Sequence, residues 1–143
     1  VARLGRMSYY VERKVGENLS KYGLTRGEFE VLAVLTRNPF TNITPKILQT
    51  KILITSGGLS NRIRKLEEKG LLERIPDRGD RRGVILKITD KGRDLTLQAV
   101  NSHVEVERQL SACLDAEEQE QIAHLLKKMI MSQQQELNQN SLR

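Results

Sequence analysis

Apolar residues in this chain recur mostly at intervals of three and four, the repeat that places side chains on one face of an α-helix. Leu4, Met7, Val11, Val15 and Leu19 form the first such stripe, and Tyr22-Gly23 breaks it. Thr25 followed three residues later by Glu28 has the spacing of a reciprocal helix cap. It predicts a second helix with Phe29, Leu32, Val34 and Leu35 on its apolar side, stopped at Asn38-Pro39. Thr41 to Ile43 reads as a short strand. Thr44-Pro45 then supplies a cap and a first-turn proline for a third helix, buried through Ile47, Leu48 and Ile52. Leu53 to Ser56 turns the chain, and Leu59, Ile63 and Leu66 carry a fourth helix that Gly70 closes.

The period then shortens to the alternation of strands. Leu71 to Ile75 and Val84 to Ile88 predict a hairpin around the polar loop from Pro76 to Gly83. Thr89 opens a fifth helix with Leu95, Val100, Val104 and Leu110. Asp115 and Glu118 cap a sixth, with Ile122, Leu125, Leu126, Met129 and Ile130. The Gln- and Asn-rich end from Gln133 to Arg143 is expected to fray. The fold class is therefore mainly α with a small β-hairpin. No repeat or linker divides the 143 residues, so residues 1–143 are expected to form a single domain. The third and fourth helices, short and joined by a tight turn, make a helix-turn-helix candidate.

Charge sharpens this outline. Residues 1–54 hold nine Lys/Arg against four Asp/Glu, and residues 55–93 hold eleven against six, each a balance of +5. Residues 94–143 hold four against eight, a balance of −4. A basic first two thirds fits contact with a polyanion, while the acidic end faces elsewhere. Aromatics make up 3% of the chain, so stacking platforms for single strands or sugars are scarce. The lone Cys113 forms no internal disulfide and reads as a buried structural thiol. Two isolated histidines, His103 and His124, suggest neither a metal nor another cofactor. With no apolar run long enough to cross a bilayer, the expectation is a cytoplasmic protein.

The fourth helix and the hairpin carry the candidate chemistry. If Leu59, Ile63 and Leu66 face the core, then Gly57, Ser60, Asn61 and Arg64 point away from it. Asn pairs with adenine, Arg with guanine, and Ser and Gly let a helix approach a groove closely. Gly57 and Gly58 also leave backbone N–H groups open to a phosphate. Arg78, Arg81 and Arg82 lie within five residues at the hairpin tip, a narrow basic arm suited to phosphates or a minor groove. Asp77 and Asp80 read as partners orienting those guanidinium groups, or as turn residues.

Residues 77–89, D-R-G-D-R-R-G-V-I-L-K-I-T, resemble the wing signature of the MarR (multiple antibiotic resistance regulator) family. Residues 55–71, T-S-G-G-L-S-N-R-I-R-K-L-E-E-K-G-L, are similar to that family's recognition helix. The resemblance runs from about Leu24 through Met129. It implies a winged helix-turn-helix lobe over residues 24–92, flanked by dimerisation helices over 1–22 and 94–135. It places Ser56, Gly58, Ser60 and Asn61 at base edges or phosphates. Arg62 would bind backbone or brace the wing, and Arg81 or Arg82 would enter the minor groove, with Arg78 and Asp80 in the same arm. The implied function is that of a homodimeric repressor on a near-palindromic double-stranded DNA operator, released by a small-molecule effector of unknown identity. Urate-responsive members carry an Asp where this chain has Arg64, and a Trp that this chain lacks.

Other classes fare worse. No Ser/His/Asp order, metal-ligand cluster or phosphate-cradling glycine loop suggests an enzyme. The alternative is a winged-helix protein-interaction module without specific DNA binding. It predicts a dispensable arginine cluster.

Overall fold

The structure is a computed structural model that describes residues 1–52 and 54–140. Six helices and one hairpin follow in the order α1 (Ala2–Ser20), α2 (Arg26–Arg37), α3 (Pro45–Lys51), α4 (Ser56–Glu68), β1 (Leu72–Pro76), β2 (Val84–Ile88), α5 (Asp90–Ser111) and α6 (Ala116–Asn140). The contacts divide the chain into a compact unit from Val1 to Val106 and a second from Glu107 onward, with the boundary inside α5.

Local capping chemistry sets most of the helix starts. Glu28 N–H donates to Thr25 Oγ1 at 3.2 Å while Thr25 N–H donates to Glu28 Oε2 at 3.0 Å, closing the reciprocal cap of α2. Thr44 caps α3 through Ile47 N–H, with Pro45 in the first turn. Asp115 and Glu118 close the same kind of box on α6, at 2.9 and 3.0 Å. At the end of α4, Gly70 takes φ +69, a left-handed conformation that glycine adopts without steric cost.

The first unit encloses one continuous apolar core. Leu19 from α1, Leu32 from α2, Leu48 from α3, and Ile63 and Leu66 from α4 are each shielded almost completely, together with Ile43 and Leu86. The hairpin is antiparallel with Leu72 opposite Ile88 and Pro76 opposite Val84. It is tied to the helices where Leu86 N–H donates to Ile43 O at 2.8 Å. Gly92 admits α5 against the backbone just before β1, since a Cβ there would lie 2.0 Å from Leu71 O. The core backs directly onto α4 and the hairpin, which gives both elements a rigid support.

Several boundaries and faces differ from the sequence expectations. The strand at Thr41 to Ile43 reduces to the single bridge between Ile43 and Leu86. Ser56 is the first residue of α4 rather than part of the turn, because Thr55 is the cap and accepts from Gly58 N–H. Leu53 lies outside the described residues. Strand β1 begins at Leu72, one residue later than expected. Ile47 is exposed, since seven residues make too narrow a stripe to bury it along with its neighbour Leu48. In α5 the small residues Gly92, Thr96 and Ala99 are the buried ones, while Val104 is exposed. The Gln- and Asn-rich end is helical through Asn140, and residues 141–143 lie outside the description.

The second unit has a different surface. Ile122, Leu125, Met129 and Ile130 of α6 are all about half exposed or more, and Leu126 is half-buried. None of its described residues is fully buried.

Candidate nucleic-acid interface

Helix α4 buries Leu59, Ile63 and Leu66 and therefore turns its polar side outward. Ser56, Gly57, Ser60, Asn61 and Arg64 are exposed, and Gly58 is half-buried against Ile54 and the Thr55 cap. The expected reading face thus stands on one side of one helix. Its one charged member is already engaged. Arg64 donates through Nη1 to Glu68 Oε1 at 2.5 Å and through Nη2 to Asn61 Oδ1 at 2.8 Å.

Arg62 sits differently from its expected place. Its side chain is turned to α2, where Nη1 lies 3.5 Å from Glu30 Oε2, so it braces α2 rather than the wing. The other end of α4 is clamped by Lys69. Its Nζ donates to Glu28 Oε2 at 2.7 Å and to Gly23 O at 2.8 Å. Glu28 is 2% exposed, and its buried carboxylate is matched both by this ammonium and by the Thr25 N–H of the cap.

The wing tip has the opposite character. Arg78, Asp80, Arg81 and Arg82 are all exposed. Asp77 Oδ1 accepts from Gly79 N–H at 2.9 Å and Asp80 Oδ1 accepts from Arg82 N–H at 3.0 Å. Of the two roles expected for these aspartates, holding the turn backbone is therefore the one observed. The guanidinium groups of Arg78, Arg81 and Arg82 have no partner among the described residues. Three uncompensated cations project from a loop that is itself kept in shape by two carboxylates.

Sequence reasoning missed the acidic residues that occupy the helical arginines. Glu68 was legible as an i,i+4 partner of Arg64, whereas Glu30 lies 32 positions before Arg62 and left no local trace. Cys113 corrects an expectation, because it is exposed in the turn after α5 rather than buried. His103 is half-buried with its ring 5.4 Å from that of Phe29, a packed histidine. Among the described residues no group of three His, Cys, Asp or Glu could hold a metal ion, and no helix is long and apolar enough to cross a membrane.

Comparison with known proteins places this geometry among relatives. A family model described as the MarR family matches residues 22–83, from the turn after α1 through the wing loop. The HTH-type transcriptional regulator PecS of Dickeya dadantii is 35% identical over 128 residues, covering 88% of this chain and 76% of that protein. The Staphylococcus aureus MepR–DNA complex superposes with TM-score 0.84 at 28% identity, covering 92% of this chain and 97% of that one. A cysteine-to-serine variant of Escherichia coli MarR complexed with operator DNA gives TM-score 0.80 at 28% identity, covering 90% and 91%.

Proposed function

The chain belongs to the MarR family, and from that premise we propose that it is a homodimeric, cytoplasmic transcriptional regulator that represses from a near-palindromic double-stranded DNA operator and yields to a small-molecule effector. The observation that carries this reading is the pairing of two contact elements on one lobe. An exposed polar helix face of Ser56, Gly57, Ser60, Asn61 and Arg64 is followed by a wing with three unpartnered arginines. The first is suited to base edges in a major groove, and the second to phosphates or a minor groove. The relatives' DNA complexes support the same use of this fold.

Dimerisation follows from the apolar faces. Leu4 and Met7 on α1 and Ile122, Leu125, Met129 and Ile130 on α6 are exposed, more than scattered surface residues would need. A second copy covering them makes an isologous contact and brings two lobes to one duplex. Half-sites about 10 bp apart are then expected, one helical turn.

The test is a binding titration of the whole protein against a broad library of duplexes. Sequence-preferring binding whose affinity falls steeply as salt rises is the expected result, because several phosphates release counterions. The absence of any complex at low salt would refute it.

A further inference from the structure

We infer that Arg62 is a positioning residue for base reading rather than a DNA contact, held in a niche made by Gly27 and Glu30 of α2. This rests on the DNA-binding reading above and divides the arginines of α4 within it. A Cβ built on Gly27 would fall 2.3 Å from both Cζ and Nε of Arg62 and 2.6 Å from its Nη2. The guanidinium therefore occupies the space that any side chain at position 27 would take. Glu30 Oε2 lies 3.5 Å from Nη1 of the same group, one turn along α2. Glu30 is itself paired with Arg26 at 3.6 Å, and Arg26 also bonds Glu12 of α1. Four alternating charges thus run from α1 across α2 to the recognition helix.

The niche spends Arg62's charge inside the protein. An arginine that grips phosphate adds about one unit to the salt slope of binding, whereas one that orients a helix adds none. Its contribution is to the angle at which Ser60, Asn61 and Arg64 meet the groove. Losing it should degrade the discrimination between cognate and unrelated duplexes more than the grip on either. The pair is partly exposed, with side chains 31% and 43% accessible, so the effect is set at about fivefold in that ratio.

The experiment measures binding of the full-length protein to its selected duplex and to an unrelated one across a salt series. Arg62→Gln should lower the cognate-to-unrelated ratio about fivefold and leave the salt slope unchanged. Gly27→Ala should do the same, because its methyl group expels the guanidinium while the arginine remains in the chain. Glu30→Gln, which leaves Arg62 in the chain but removes its carboxylate, should also lower the ratio, whereas a phosphate contact at position 62 would lose nothing by that release. A slope lower by about one unit in Arg62→Gln would overturn the inference, as would normal discrimination in Gly27→Ala. Should Arg62→Gln fail to fold, Gly27→Ala and Glu30→Gln decide the matter alone. Failure of the wild type to bind any duplex would instead count against the DNA-binding reading, which separates the two.

Discussion

Helix α4 and the wing each present arginines at the same proposed interface, yet they hold them in opposite ways. On α4, Arg64 is bonded to Glu68 and Asn61, and Arg62 is paired with Glu30. On the wing, Arg78, Arg81 and Arg82 have no partner among the described residues, while Asp77 and Asp80 serve the turn backbone. A cation tied to a carboxylate must exchange that partner before it can bind DNA, so its net gain is small and depends on geometry. A free cation gains from any phosphate within reach. The difference teaches that on the proposed DNA-binding reading the two tasks would be separated: α4 would present shape and hydrogen bonds, and the wing would supply charge.

The largest disturbance removes the pairing of lobes on which both elements depend. Leu125→Asp with Leu126→Asp should give monomers in light scattering and lower operator affinity by roughly a hundredfold or more, since the second half-site no longer binds intramolecularly. Full affinity in that variant would break the comparison at its base. Next, Arg81→Ala with Arg82→Ala should weaken cognate and unrelated duplexes alike, by roughly 3 kcal/mol at low salt, and reduce the salt slope by about two. Measured by the same titration, Asn61→Ala should cost about 1–3 kcal/mol of discrimination at one base pair with little change in the slope. The smallest effect is expected from Glu68→Ala, which frees Arg64 and makes α4 resemble the wing. The pair is exposed on both sides, so affinity should rise by no more than about 0.5 kcal/mol while the salt slope steepens. A weaker slope in this variant would mean that Glu68 orients Arg64 toward DNA.

Much of the fold was legible because its instructions are short. Thr25 with Glu28, Thr44 with Pro45 and Asp115 with Glu118 each act within four residues, and all three helix starts fall where those residues place them. The outward side of α4 followed from Leu59, Ile63 and Leu66, because a helix with three buried positions on one stripe has only one way to face. The hairpin and its basic tip were equally local, readable from Gly, Asp and alternating aliphatics.

The partners of those side chains were decided only in three dimensions. Lys69 reaches Glu28 across 41 positions, and Arg62 finds Glu30 because Gly27 leaves the room for it. Buried Thr96 and Ala99 displaced the larger Val104 from the expected face of α5, since a helix that approaches closely seats small residues at the contact. Hydrophobic periodicity states which side of an element turns inward but carries no distance to what it will meet. The sequence alone therefore determined the elements, their order and the residues offered for contact. Packing of α1, α2 and the hairpin around α4 decided which charges are spent inside the protein and which are left for a partner, because a cation is neutralised only by a carboxylate that the fold brings within a few ångströms of it.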